Sequence, residues 1–206
     1  TEMQAQAIFE ATVVIQRRGA SVVAEIMIPL VSAKREVELV KSNIDAVASR
    51  VRVSSGVEFD YKLGVMVETP RACLRAGEIA QHASFLSFGT NDLTQMTYGL
   101  SRDDAGRFMN TYVQQGVFLE DPFQFLDFDG VGELLHMGAD RGRKARPDVV
   151  LCICGEHAGN IESIDFFRKA GFNYISCSPY RVPVARLSVA QARIKARAKE
   201  VEAAKH

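Results

Sequence analysis

The chain is poor in cysteine, has no low-complexity tract and carries no net charge, since Lys and Arg total 25 and so do Asp and Glu. This balance gives no reason to expect binding to nucleic acid or to an anionic membrane surface. No apolar run approaches the ~20 residues that a bilayer-spanning helix needs, and no signal peptide opens the chain, so we expect no membrane segment. The four cysteines lie in or beside apolar segments rather than in a disulfide spacing. They predict reduced thiols in an intracellular protein, either cytoplasmic or in an organelle such as a plastid or glycosome.

Apolar, β-branched segments alternate with helical patterns along the 206 residues, in the order α-β-α-β-α-β-α-β-α-β-α. Continuous apolar strands of this kind predict a parallel sheet that is covered by helices. A closed TIM (β/α)8 barrel needs eight strands, whereas the pattern supplies about five. We therefore predict one partial domain over residues 1–206, the later part of a TIM-type barrel without its first three strands. An open sheet of its own is the alternative.

Several element boundaries carry local signals. Thr1, Thr69 and Asn160 are typical N-caps, and Pro70 suits the first turn of the helix that Thr69 would cap. The pattern predicts strands over residues 24–31 and 173–180, a helix over residues 34–51, and a terminal polar helix from about Ser188.

One connection is unusually long, with more than fifty residues between Asp92 and Val149. Part of it is the helix that precedes the fourth strand. The remainder mixes charge, glycine and aromatic residues, and long insertions at such a position are often lids or partner contacts. Loop statistics favour an ordered surface excursion about equally.

Reactive side chains follow three of the predicted strands. Glu68 ends the second strand, Asn91 and Asp92 the third, and Cys154 and Glu156 the fourth. Because ligands bind at the carboxyl ends of strands in parallel α/β sheets, we expect these groups to converge at one rim. Two carboxylates, an amide and a thiol predict a magnesium ion, a bound oxyanion and a proton donor.

Each of these residues also has a simpler interpretation. Glu68 alone would suit a solvated helix start and Asp92 an N-cap, although the pair forms the oxygen-rich site that Mg²⁺ prefers. Gly89, Thr90 and Asn91 are either an anion-binding turn, with backbone N–H groups facing the ligand, or a plain strand-to-helix turn.

Cysteine is most often a small buried residue, and Cys152 fits that reading. Cys154 stands at the strand end, where a thiol of ordinary pKa could move a proton near neutrality. A structural zinc site of Cys152, Cys154 and His157 is a weak alternative, because the sequence offers no further convincing ligands.

Five motifs together resemble the carboxy-terminal PEP/pyruvate-binding barrel of the pyruvate phosphate dikinase family, among the PEP-utilising enzymes. They are GVMVETPRA, SFGTNDLTQMTYGLSRDDAGRF, DPFQFLDFDGVGEL, CICGEHAG and YISCSPYRVPVARL. Phosphoenolpyruvate synthase and enzyme I of the sugar phosphotransferase system share the GTNDLTQ and CGE themes. The resemblance implies an enzyme that interconverts ATP, phosphate and pyruvate with AMP, diphosphate and phosphoenolpyruvate.

The resemblance also implies the roles of individual residues. Glu68 and Asp92 would hold Mg²⁺, the turn at residues 89–91 would cradle the substrate, and Cys154 would move the proton at C3 of pyruvate. Arg102 matches a phosphate-contacting position, although a solvated arginine beside two aspartates is nearly as good a reading.

Four further positions would support the thiol. Ser87 and Tyr174 match positions that hydrogen-bond it, and Glu156 and His157 are its neighbours in the chain. All four are expected to support the Cys154 thiol rather than to react with the substrate themselves.

The implied partners are pyruvate or phosphoenolpyruvate, a phosphohistidine domain and an ATP-binding domain of the same full-length enzyme, and a second subunit in a homodimer formed through the barrel. The chain alone is expected to be inactive, because arginines from the first barrel strands are missing. The alternatives are a phosphoenolpyruvate synthase or enzyme I-like protein, a metal-dependent pyruvate aldolase of the citrate-lyase kind, and a non-catalytic dimerisation platform.

Overall fold

Five parallel strands form a single sheet in the computed structural model, which describes residues 1–203 and the side chains of residues 1–198. The spatial order of the strands is their order in the sequence, and their bounds are β1 Ala24–Ile28, β2 Tyr61–Val67, β3 Phe85–Gly89, β4 Val150–Cys154 and β5 Tyr174–Ser176. Sequential parallel strands with intervening helices are the arrangement of a (β/α)8-type barrel. The predicted fold, a partial barrel of about five parallel strands, is confirmed.

Ten α-helices are described, and most of them connect successive strands. Their bounds are α1 Glu2–Arg17, α2 Lys34–Ser55, α3 Pro70–Leu74, α4 Ala76–Ala80, α5 Thr90–Tyr98, α6 Arg102–Ala105, α7 Met109–Gln114, α8 Val131–Ala145, α9 Ile161–Lys169 and α10 Val182–Ala203. Two short 3₁₀ turns follow β4 and β5, at Glu156–Gly159 and Pro179–Arg181. Within the described residues, no helix has the length and apolarity needed to cross a membrane.

The two faces of the sheet differ in character because side chains alternate along each strand. One face packs under the helices, and its fully buried members include Val65, Leu86 and Leu151, which lie opposite one another in register. Burying each such aliphatic side chain contributes roughly 1.5–3 kcal/mol. The other face carries Ser87 and Cys152, so the polar and sulfur groups lie together on the side away from the helices.

Helix α1 covers the first strands through a second cluster of buried side chains. Phe9 is fully buried and stacks on Phe59 with ring centroids 5.1 Å apart, and Ile44 and Val47 of α2 complete the cluster. This packing fixes β1 and β2, and therefore the segment that follows each of them.

The caps predicted at Thr69 and Asn160 are present, whereas the Thr1 side chain makes no capping hydrogen bond to α1, and several boundaries differ from expectation. Thr69 Oγ1 accepts a hydrogen bond from Ala72 N–H at 3.0 Å, and Asn160 Oδ1 accepts two at the start of α9. Strand β1 ends at Ile28 rather than at residue 31, since Pro29 has no N–H to donate. Strand β5 covers only Tyr174–Ser176, and α10 begins at Val182 rather than near Ser188.

The long connection contains an ordered excursion, which we call the insertion and define as residues 99–130. It includes α6 and α7 and has a small core of its own, formed by Ala105, Met109 and Phe123. The insertion folds back toward the carboxyl ends of β3 and β4, where it contacts the candidate site.

Candidate active site

Glu68 and Asp92 meet at the carboxyl ends of β2 and β3. The Glu68 side chain is almost fully buried, and its Oε1 accepts a hydrogen bond from Leu30 N–H at 2.8 Å. Burial raises the pKa of the Glu68 carboxyl, the Leu30 hydrogen bond partly offsets this rise, and the adjacent Asp92 carboxyl raises the pKa further. Leu30 has a φ of 51°, a left-handed conformation that is uncommon for leucine and that accompanies this contact. The predicted convergence of the two carboxylates is present in the structure.

Gly89 allows the Glu68 side chain to reach this position. A Cβ at Gly89 would lie 2.5 Å from Glu68 Oε2 and 2.9 Å from Glu68 Cβ, closer than side-chain atoms approach one another in folded proteins. Because residue 89 has no side chain, the Glu68 carboxylate can lie across the end of β3.

The donor set suits a hard divalent cation that keeps most of its ligands from water or substrate. Two adjacent carboxylates are typical of Mg²⁺ sites, in which the protein contributes one or two ligands. Among residues 1–198, no group of three His, Cys, Asp or Glu side chains is placed to hold a metal ion. The zinc alternative with His157 is contradicted, because both ring nitrogens of that residue contact other groups, Thr90 and Pro122.

The turns after β3 and β4 are joined directly. Thr90 Oγ1 lies 3.3 Å from Cys154 O, and Asn91 Oδ1 accepts a hydrogen bond from Glu156 N–H at 3.0 Å. Gly89 and Thr90 are buried, whereas Asn91 is half-buried, so Asn91 in the first turn of α5 is the residue of this turn that could face a ligand. The first N–H groups of a helix have no partner within it, which makes this turn suitable for an anion.

Gly155 makes the close approach of these turns possible, and Gly155→Ala is expected to destabilise the protein by about 2–4 kcal/mol. Its φ is 137°, and an added Cβ would overlap Thr90 Oγ1 and lie 3.1 Å from Asn91 Oδ1. Urea denaturation measures the change. Gly106→Ala is the matched control, because nothing lies within 4 Å of its Cβ position. Equal stability of the two variants would show that the turns are not packed as described.

Cys154 is half-buried at the end of β4, in register with Gly89 on one side and Ser176 on the other. Cys154 and Gly89 are neighbours on one face of the sheet, and the Glu68 side chain lies over Gly89 on that same face. Cys154 therefore lies at the predicted rim, one strand away from Gly89, over which Glu68 crosses.

The contacts of Ser87 and Tyr174 differ from the expectation. Both residues lie opposite Cys152, not Cys154, in the strand register, and the Cys152 thiol donates to the carbonyl of Ile153 at 3.4 Å. Burial raises the pKa of Cys152, and the neighbouring Ser87 and Tyr174 side chains oppose that shift. The strand register explains this difference. It pairs Cys154 with Gly89 at the carboxyl end of the sheet and places Cys152 two residues further from that end.

The remaining predicted residues lie around the joined turns. Glu156 is exposed, and its carboxylate is 3.6 Å from the guanidinium of Arg181. Arg102 is exposed at the start of α6, and its charge is close enough to lower the pKa of His157, for which burial is the main cause. His157 is fully buried behind the Cys154 turn.

Three residues that contact the candidate site, Gln95, Leu30 and Arg181, were not predicted from the sequence. Gln95 Nε2 donates a hydrogen bond to Asp92 Oδ1 at 3.0 Å, and its Oε1 accepts one from Arg102 N–H at 2.8 Å. Its position one helical turn after Asp92 was a usable signal. Leu30 and Arg181 reach the site through backbone and loop geometry, for which the sequence carries no signal.

Parallel strands with a carboxylate and thiol site at their carboxyl ends define an α/β-barrel type of enzyme domain. Residues 1–194 match the family described as PEP-utilising enzyme, PEP-binding domain, and the chain belongs to this family. The predicted resemblance is thereby confirmed.

Curated relatives agree with this assignment. The chain is 55% identical to a pyruvate, phosphate dikinase of Rhizobium meliloti over 197 residues, which cover 95% of this chain and 22% of that protein. It is 53% identical to pyruvate, phosphate dikinase 2 of Zea mays and to the chloroplastic pyruvate, phosphate dikinase 1 of Oryza sativa, each over 93% of the chain, but over only 22% and 20% of those proteins. The chain thus spans about a fifth of the length of these relatives.

Among solved structures, a citrate lyase from Burkholderia xenovorans superposes with a TM-score of 0.52 at 15% sequence identity. The match covers 81% of this chain and 48% of that one. At this identity the likeness shows the fold alone.

Proposed function

We propose that this chain is the carboxy-terminal PEP/pyruvate-binding part of a pyruvate phosphate dikinase. The complete enzyme would interconvert ATP, phosphate and pyruvate with AMP, diphosphate and phosphoenolpyruvate. The observation that carries the proposal is the meeting of Glu68, Asp92 and Cys154 at one rim of the sheet, in a chain 55% identical to a pyruvate, phosphate dikinase.

Glu68 and Asp92 would hold Mg²⁺, which when bound supplies Lewis-acid stabilisation of the enolate oxygen. The structure supports this assignment through the paired carboxylates, whose like charges favour either a shared proton or a cation between them. Leu30 N–H fixes one oxygen of Glu68, and Gln95 fixes one oxygen of Asp92. Each carboxylate is therefore held by one oxygen, and the second oxygen of each is the one that a cation would take.

The turn at residues 89–91 would bind the carboxylate and developing enolate of pyruvate through its backbone N–H groups. The Asn91 side-chain oxygen is occupied by Glu156 N–H, which leaves the amide NH₂ group as a further donor. The Arg102 side chain is exposed. To bind phosphate, its guanidinium would have to rotate toward the segment at residues 89–91.

Cys154 would carry the proton at C3. In the direction of phosphoenolpyruvate formation, its thiolate takes a proton from the methyl group, the electron pair of the broken C–H bond forms the C2–C3 double bond, and the carbonyl π pair moves onto the enolate oxygen. That oxygen then attacks the phosphorus of the phosphohistidine, whose N–P bond breaks and returns its electron pair to the imidazole. In the reverse direction the thiol returns the proton to C3.

The phosphohistidine and the ATP-binding site belong, under this proposal, to other domains of the complete protein, which would be an intracellular homodimer joined through the barrel. Residues 1–206 would form a partial barrel domain. This arrangement explains why 95% of the chain corresponds to only 22% of its relative.

The test is an assay of the complete protein for phosphoenolpyruvate formation from ATP, phosphate and pyruvate with release of diphosphate. We expect turnover that requires both phosphate and a divalent cation, and no turnover by the 206-residue chain assayed alone. Formation of phosphoenolpyruvate without a need for phosphate would favour a phosphoenolpyruvate synthase. Dikinase activity of the 206-residue chain alone would contradict the assignment of the phosphohistidine and the ATP-binding site to other domains.

A further inference from the structure

One buried histidine connects the insertion to the turn that carries Cys154. His157 is completely inaccessible to solvent, and both of its ring nitrogens have partners at 2.9 Å. One partner is the Thr90 hydroxyl at the start of α5, and the other is the backbone carbonyl of Pro122 in the insertion. The imidazole thus spans two parts of the chain that lie far apart in the sequence.

The chemistry of the partners assigns the hydrogens. A carbonyl oxygen only accepts, so Nε2 of His157 carries the hydrogen and donates it to Pro122. Nδ1 then accepts the single hydrogen of the Thr90 hydroxyl at 2.9 Å, so the longer 3.3 Å approach of that hydroxyl to the Cys154 carbonyl is a packing contact rather than a second hydrogen bond. Burial lowers the pKa of His157 and so favours this neutral form, as does the charge of Arg102, while Glu156, Asp121 and the Pro122 carbonyl act in the opposite direction.

Thr90 extends the connection to the thiol. Its hydroxyl oxygen fills the space above Gly155, where a Cβ would overlap it, and lies 3.3 Å from the Cys154 carbonyl. A shift of Thr90 would therefore move the backbone that positions Cys154. The side of His157 that faces the insertion is equally confined, because Pro122 and Phe123 are both buried.

We propose that His157 is a positioning residue that fastens the insertion to the Cys154 turn through Thr90, so that the thiol is held in its reactive position only while the insertion is seated. The proposal rests on the proposed function for the role of Cys154. It assigns the insertion a part in that reaction, and it assigns His157 no contact with substrate.

Two substitutions separate the two contacts. His157→Asn keeps an acceptor near the Nδ1 position for Thr90 and is too short to reach Pro122. His157→Gln keeps a donor near the Nε2 position for Pro122 and gives up the Thr90 contact. His136→Asn, on an exposed position of α8, is the matched control.

The experiment uses the complete protein and two readouts, amide hydrogen exchange of residues 116–126 and exchange of the pyruvate C3 protons with solvent. We expect His157→Asn to accelerate amide exchange in the insertion about tenfold, because a buried carbonyl loses its donor. His157→Gln should leave that exchange within about twofold of wild type. Both variants should lower kcat for proton exchange about tenfold or more and change KM by a smaller factor, since both weaken the support of the Cys154 backbone. The control should change neither.

Unchanged amide exchange in His157→Asn, or unchanged kcat in both variants, would overturn the proposal. If circular dichroism shows that His157→Asn does not fold, Thr90→Val takes its place. This variant removes the hydroxyl, leaves His157 on Pro122, and should lower kcat without loosening the insertion. An absence of proton exchange in the wild-type enzyme would instead contradict the proposed function, and the amide exchange would still decide whether His157 holds the insertion.

Discussion

Cys154→Ala is expected to lower the rate of C3 proton exchange of pyruvate in the complete enzyme by about 10²–10⁴-fold, the range for loss of a general acid–base group. The thiol stands at the end of β4 next to Gly89, over which Glu68 crosses, and it is half-exposed to the site. Exchange of deuterium from solvent into pyruvate, followed by proton nuclear magnetic resonance, measures the rate directly.

Cys177→Ala is the matched control, because that cysteine lies beyond the end of β5 and packs against the helix-side core. Its exchange rate should equal that of the wild type. A Cys154→Ala enzyme that exchanges at the wild-type rate would show that another group moves the proton, as a metal-dependent aldolase mechanism without a thiol would require.

Substitution of the Glu68 carboxylate is expected to separate stability from metal affinity. Glu68→Gln should weaken Mn²⁺ binding by about 100-fold or more, a loss larger than most changes around a metal site cause. The variant should nevertheless be at least as stable as the wild type without divalent cations. Burial and the neighbouring Asp92 carboxyl both disfavour the Glu68 carboxylate, and an amide keeps the acceptor for Leu30 N–H.

Electron paramagnetic resonance of Mn²⁺ titrated into the complete enzyme gives the affinity, and thermal unfolding in a chelator gives the stability. Glu133→Gln, an exposed change on α8, should alter neither. Wild-type Mn²⁺ affinity in Glu68→Gln would place the metal site elsewhere.

The sequence predicted the parts of the fold that depend on local chemistry. Thr69 and Asn160 could be identified as caps because their side chains accept hydrogen bonds within a few residues. The meeting of Glu68 with Asp92 followed from the rule that parallel strands place their carboxyl ends together. The roles of these residues came from the family resemblance and not from their spacing.

The features that the sequence did not predict depend on exact register or on distant backbone. Ser87 and Tyr174 lie opposite Cys152 because of a strand pairing that apolar segments alone do not specify. Leu30 N–H reaches Glu68 from 38 residues away through a left-handed backbone conformation, which a leucine does not signal. The attachment of the insertion at Pro122 also depends on tertiary contacts.

A crystal structure of the complete enzyme with Mg²⁺ and oxalate, a planar dianion that resembles the enolate of pyruvate, tests the shared site most directly. The geometry predicts the cation between the carboxylates of Glu68 and Asp92, oxalate on the metal and beside the turn at residues 89–91, and the sulfur of Cys154 facing oxalate. A cation bound away from both carboxylates, or a Cys154 side chain directed away from oxalate, would contradict the assignment.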